Sequence, residues 1–121
     1  MNIHEFYDAI GGNYNEAAER LMRDSLIQKF VLLFRNDPGF AALQTALEQE
    51  DWDAAFSAAH TLKGVSLNLA FARLSGKARE LTDFLRPQNR AAFTPAGAQA
   101  LFSEVQAAYT EILENIAQLE A

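Results

Sequence analysis

The sequence predicts an all-α protein, an antiparallel up-down four-helix bundle with short additional helices at the N-terminus. Hydrophobic residues recur at spacings of three and four along most of the chain, and no segment alternates at a period of two. The three prolines and six glycines fall at a few breaks between these segments. Because the connections are short, neighbouring helices are expected to be antiparallel. At 121 residues the chain is expected to form one domain, 1–121.

The segments before Pro38 predict the short N-terminal helices. Gly11-Gly12-Asn13 separates Ile3–Ile10 from residues 15–35, which carry a helical apolar stripe of Leu21, Leu26 or Ile27, Phe30 and Phe34. An interruption is indicated near Arg23-Asp24-Ser25. Asp37-Pro38-Gly39 then ends this region, because the residue before a proline is disfavoured from the helical conformation.

The remaining segments predict the longer helices and their boundaries. Phe40, Leu43 and Leu47 belong to a shorter helix, and an aspartate in the turn at 50–53 is suited to cap the next one. Residues 87–90 form the next break, and Thr94-Pro95 has the order of residues found at a helix start. Two further helices carry apolar stripes: Leu74, Ala78, Leu81 and Leu85 in one, and Leu101, Val105, Ala108, Ile112, Ile116 and Leu119 in the last.

Composition excludes several classes of function. The absence of cysteine removes disulfides, thiolate nucleophiles and cysteine metal sites, and the two histidines form no His-x-x-x-His pair, so no metal site is expected. A net charge of −6 argues against nucleic acid and anionic membranes as partners. The longest apolar run, Phe30–Phe34, is too short to span a membrane, and no signal peptide precedes it. We therefore expect a cytoplasmic protein.

The predicted helix 53–71 has two distinct faces. Ala55, Ala58, Leu62, Val65 and Leu69 recur at steps of three and four and form the predicted core stripe. At 100° per residue, His60 lies on the opposite side. The residues predicted to share its face are Asp53, Phe56, Ser57, Lys63, Gly64, Leu67 and Phe71. The sequence therefore places one of its two imidazoles on a solvent-facing surface.

The residues nearest His60 suit the capture of a phosphoryl group from a partner protein. An exposed imidazole is largely neutral, and so nucleophilic, near neutral pH. Lys63, one turn later, can meet an incoming anion as a point charge. Gly64 removes a side chain beside the imidazole, at a cost of about 0.5–1 kcal/mol relative to alanine within a helix. The alternatives are an ordinary surface histidine and lysine, and a glycine that eases contact between helices.

Four residues on the same face predict a patch where a partner docks: Phe56, Ser57, Leu67 and Phe71. Large apolar side chains on a face expected to be polar indicate an interaction surface. The alternative is that the three apolar members belong to the core and are covered by Ile3–Ile10 or by the segment after Pro87. His4, with no lysine or glycine at helical spacing, is interpreted as an incidental surface residue.

The segment Ala59–Leu69, AHTLKGVSLNL, resembles the signature of histidine-containing phosphotransfer (HPt) domains. The similarity covers roughly residues 14–86, and the last helix fits in length and pattern only. Two positions depart from the family pattern. Ala70 stands where the family commonly has glycine. Thr82 stands where an acidic residue or glutamine commonly approaches the imidazole.

The resemblance implies a phosphoryl carrier and not an enzyme, and the chain has no glycine-rich loop for ATP. His60 would take a phosphoryl group from a receiver-domain aspartate and pass it to another receiver. The implied partners are response-regulator receiver domains and a hybrid or sensor histidine kinase. Mg²⁺ is expected on the receiver, and no cofactor on this chain. Thr82 and Arg86 are possible secondary groups at the phosphoryl site.

Two other interpretations remain open from the sequence. The first is a non-catalytic helical interaction module of the same fold, favoured by Thr82 in place of the acidic residue. The second is the phosphotransfer domain of a larger sensor kinase. A chain that starts at Met1 without a long linker favours a stand-alone shuttle over the latter.

Overall fold

A computed structural model describes residues 1–120, apart from the side chain of Glu120. These residues form seven α-helices and one 3-10 helix, and no β-strand occurs among them. The all-α class predicted from the sequence is confirmed. The helices are α1 (Ile3–Ala9), α2 (Tyr14–Leu21), α3 (Asp24–Phe34), α4 (Gly39–Glu48), α5 (Trp52–Asn68), α6 (Ala72–Leu85), the 3-10 helix (Pro87–Ala92) and α7 (Pro95–Glu120).

The last four α-helices pack in chain order, α4 on α5, α5 on α6 and α6 on α7. Arg73, near the start of α6, pairs with Glu111 in the second half of α7. Lys77, further along α6, is 3.2 Å from Glu104, which lies earlier in α7. These two helices are therefore antiparallel. Phe40 stacks on Tyr109 with ring centroids 4.2 Å apart, which brings α4 against α7. The short helix α1 packs on α7, α2 and α3.

Two predicted helix starts are confirmed by side-chain caps. The Asp51 carboxylate accepts a hydrogen bond from the Ala54 N–H at 3.1 Å, at the start of α5. The Thr94 hydroxyl accepts one from the Gly97 N–H at 3.0 Å, with Pro95 as the first residue of α7. Both caps satisfy backbone donors that have no partner within the helix.

The predicted interruption in residues 15–35 is a complete break between α2 and α3. Met22 has a φ of 69° and ends α2, and α3 begins at Asp24. The predicted break after Leu85 is itself ordered as the 3-10 helix.

The buried face of α5 is rotated from the predicted stripe. Its buried residues are Ala55, Ala59, Leu62 and Ser66, whereas Ala58 and Val65 are half-buried. The rotation follows from the packing of α5 against both α4 and α6. Ser66 is accommodated because its hydroxyl donates to the Leu62 carbonyl at 2.7 Å.

The assignment of Phe71 to the exposed docking patch is wrong. Helix α5 ends at Asn68, and Ala70, with a φ of 57°, turns the chain before α6. Phe71 therefore leaves the helical register from which its exposure was predicted. It is 0% exposed and packs against Phe6 of α1 and Phe34 of α3, with ring centroids 6.1 and 5.2 Å away. Cover by the N-terminal segment, the alternative stated for this residue, is what occurs.

Candidate functional site

His60 lies in the middle of α5 with its side chain exposed to solvent. Within residues 1–120 it has no hydrogen bond and no ion pair, and its one ring contact is with Phe56. The two ring centroids are 6.3 Å apart, one helical turn from each other, with an interplanar angle of 22°. The ring nitrogens are therefore free to meet a group that approaches from outside.

Lys63 and Gly64 occupy the next turn of α5. Lys63 is half-buried, and its ammonium group forms no ion pair with the part of the chain that the structure describes. A Cβ atom placed on Gly64 would meet no atom within 4 Å. Gly64 therefore does not serve close packing within the chain, and the space beside His60 is open.

Arg86, just past the end of α6, and Phe56, one turn before His60 on α5, border the site. The Arg86 guanidinium lies 5.6 Å from the centroid of the Phe56 ring, and its Nε donates to the Asp83 carboxylate at 3.0 Å. Arg90 of the 3-10 helix pairs with Asp53 at the start of α5, at 3.1 Å. The cationic side chain predicted as a secondary group is thus near the site, but a carboxylate already holds it.

Thr82 does not present its hydroxyl to the imidazole. It is 0% exposed, and its Oγ1 donates to the Ala78 carbonyl at 2.7 Å, within α6. The described residues contain no hydrogen bond between Thr82 and His60. Thr82 therefore gives the imidazole no hydrogen bond of the kind that an acidic residue or glutamine at this position would supply.

The other predicted docking residues are at the surface to different degrees. Ser57 is exposed, Phe56 is half-buried and Leu67 is 46% exposed. The sequence analysis missed a second apolar region, a groove of about 520 Å³ between α3 and the last turns of α5. Phe30 and Leu33 line it and are 39% and 52% exposed. The five consecutive apolar residues 30–34 were the available signal, because a helix cannot bury five successive residues on one face.

The described residues were also compared with the requirements of a metal site and of a membrane-spanning helix. No group of three or more His, Asp or Glu side chains in residues 1–119 is close enough to hold a metal ion. None of the helices described in those residues is both long enough and apolar enough to cross a bilayer.

Comparison with known families decides what kind of domain this is. The sequence model of the Hpt domain matches residues 31–121, which is more than half of the chain. The chain belongs to the Hpt domain family. Neither a search of curated proteins nor a search of solved structures found a match.

The Hpt match includes every predicted site residue and extends through α7, where the sequence analysis relied on length and pattern only. Hpt domains take part in histidine phosphotransfer within two-component phosphorelays, as phosphocarriers and not as catalysts. They interact with receiver domains and kinases. Helices α1 and α2 and the first part of α3 lie outside the match.

Proposed function

We propose that His60 is the phosphoacceptor of a phosphorelay carrier. Its unprotonated ring nitrogen would attack the phosphorus of an aspartyl phosphate on a receiver domain. The P–N bond forms as the P–O bond breaks, and the aspartate carboxylate leaves with the bonding electrons. Attack by a second receiver's aspartate reverses these steps and returns His60 to its free state.

The observation that carries this proposal is the open, unpartnered position of His60, one helical turn before Lys63 and Gly64 on α5. The phosphoryl group being transferred is anionic, and its phosphorus must come within bonding distance of the ring nitrogen. Lys63 supplies charge for it without an internal carboxylate to compete. Gly64 leaves room for the receiver's backbone or side chains beside the ring.

The receiver supplies what this chain does not offer. We expect its Mg²⁺ and its own active-site groups to stabilise the transferring phosphoryl group. Its surface docks on Phe56, Ser57 and Leu67 around His60. We further propose that α4 to α7 form an up-down four-helix bundle, that residues 1–121 are one domain, and that the relay operates in the cytoplasm with a hybrid or sensor histidine kinase upstream.

The direct test is phosphotransfer from receiver domains of the same organism, phosphorylated with acetyl phosphate in the presence of Mg²⁺. The protein should acquire a phosphate that is labile in acid and stable in base. His60→Gln should abolish this label and leave the helical circular dichroism signal unchanged. His4→Gln is the matched control, because His4 lies in α1, away from Lys63 and Gly64. Its ring contacts the Tyr14 ring, with centroids 3.8 Å apart, and its Nε2 atom is 3.5 Å from the Asp24 carboxylate. Labelling that survives in His60→Gln would refute the assignment.

One observation favours a second candidate, a helical module that binds receivers without accepting phosphate. The buried Thr82 hydroxyl leaves the imidazole without an orienting hydrogen bond from α6. This candidate predicts that receivers bind with equal affinity to the wild type and to His60→Ala, and that neither protein is labelled. Labelling of the wild type excludes it.

A further inference from the structure

We infer that Arg79 of α6 is a second phosphoryl-positioning cation at the site, placed across the α5–α6 groove from Lys63. The inference rests on the proposed function, since it concerns the phosphoryl group that His60 would carry. It differs from the expectation drawn from the sequence, in which Arg86 was the additional cation.

The register of the two helices places Arg79 opposite Lys63. Phe56 near the start of α5 contacts Arg86 just past the end of α6, so the helices are antiparallel at that point. Seven residues further along α5 is Lys63, and seven residues back along α6 is Arg79. Seven residues make about two helical turns, or about 10 Å, and return to nearly the same face of each helix.

His60 lies between the levels of the two arginines. Four residues along α5 from Phe56 is His60, and four residues back from Arg86 is Thr82. Arg79 and Arg86 therefore flank the level of the imidazole, about one helical turn to either side. The long side chain of an arginine spans such a distance, and its planar group binds phosphate oxygens in pairs.

The ion pairs around the groove leave the charges of Arg79 and Lys63 uncompensated. The nearby carboxylates are each engaged by another cation: Asp83 by Arg86, Asp53 by Arg90, and Glu80 by Lys77. Arg79 is exposed and has no ion pair or hydrogen bond within the described residues. A chain of net charge −6 thus keeps two unpaired cations in the groove beside its exposed histidine.

The first test compares Arg79→Gln with Arg23→Gln in transfer from a phosphorylated receiver. Arg23 is the matched control, because it is also an exposed arginine without an ion pair but lies at the start of α3. Arg79→Gln should slow transfer by about 3- to 10-fold, and Arg79→Lys should restore most of the rate. The loss should shrink as ionic strength rises, because salt screens an exposed charge. Equal rates and equal salt dependence in the two glutamine variants would overturn the inference.

A second measurement keeps the inference testable if receivers do not label the protein. Phosphoramidate transfers its phosphoryl group to histidine with loss of ammonia, so it can phosphorylate His60 directly. Nearby cations stabilise the dianion, so the ³¹P resonance of phosphorylated wild type should titrate at a lower pH than that of Arg79→Gln. Coincident titrations would overturn the role of Arg79 whatever the fate of the relay proposal. A shifted titration with no labelling by receivers would support Arg79 and refute the proposed function.

Discussion

Replacement of Gly64 by alanine should move stability and phosphotransfer in opposite directions. Gly64 lies within α5, where glycine costs about 0.5–1 kcal/mol relative to alanine. A Cβ atom at this position meets no atom within 4 Å, so the substitution adds no clash and buries no new surface. The helix-propensity gain is therefore the only contribution to folding. We expect the free energy of unfolding to rise by about 0.5–1 kcal/mol, and Tm by about 2–5 °C.

The same methyl group should slow phosphotransfer. It fills space one helical turn from the His60 ring, on the side from which a receiver must approach. Displacement of reacting atoms by about 1 Å is enough to cost a factor of ten to a hundred in rate. We expect transfer from a phosphorylated receiver to fall by about tenfold or more, measured by single-turnover labelling.

Gly76→Ala provides a matched control for both effects. Gly76 also lies within a helix, α6, and a Cβ atom there likewise meets nothing within 4 Å. The antiparallel register places it opposite the buried Ser66, about 9 Å along α5 from the level of His60. It should stabilise the protein by a similar amount and leave transfer unchanged. An unaltered transfer rate in Gly64→Ala would refute the clearance argument, and a loss of stability would refute the open space inferred around Gly64.

Three further substitutions test a buried ring, a backbone conformation and a buried hydroxyl group. Phe71→Ala should lower the unfolding free energy in urea by about 3–5 kcal/mol, since it empties a position between Phe6 and Phe34; a loss below about 1 kcal/mol would contradict its burial. Glu50→Gly should raise Tm, with a gain of about 0.5–1 kcal/mol, because Glu50 is exposed with a φ of 54°; a lower Tm would argue against strain there. Burial raises the pKa of Tyr7 well above its usual range, so its stabilising contribution is present below about pH 10 and lost as pH rises further. Tyr7→Phe should flatten the stability profile above pH 10, and an equal alkaline loss in both proteins would exclude this cause.

The helix starts were predictable from the sequence because their determinants are local. Asp51 caps α5 through a backbone N–H three residues later, and Thr94 does the same for α7. The end of α5 was not predictable in this way. The Tyr7 hydroxyl donates to the Leu69 carbonyl at 2.7 Å, and the Asn13 N–H donates to the Ala70 carbonyl at 2.9 Å. Partners more than fifty residues away therefore decide where the helix stops.

Two residues considered for the site, Phe71 and Thr82, are both buried, for different physical reasons. Phe71 was placed on the His60 face by extending the helical angle past Asn68, where α1 and α2 in fact terminate the helix. Thr82 was considered as a hydrogen-bonding group for the imidazole. A threonine inside a helix commonly bonds the carbonyl four residues earlier, and Thr82 does so with Ala78. The hydrogen bond from Thr82 to the Ala78 carbonyl is therefore predictable from the residue type alone.

His4 and His60 show why residue type does not settle which histidine is reactive. Both are exposed, but the neighbours of His4 come from α2 and α3, where the Tyr14 ring and the Asp24 carboxylate hold it. Around His60, the carboxylates of the α5–α6 groove are paired with other cations. The Nε2 atom of His4 is already taken up by the Asp24 carboxylate, whereas the ring nitrogens of His60 are free. Unpaired cations beside a free imidazole favour the approach of an anionic group. The ion pairs of Arg86 and Arg90 thus matter for function even though neither arginine touches the imidazole, because they keep Asp83 and Asp53 from occupying the cations that a phosphoryl group would need.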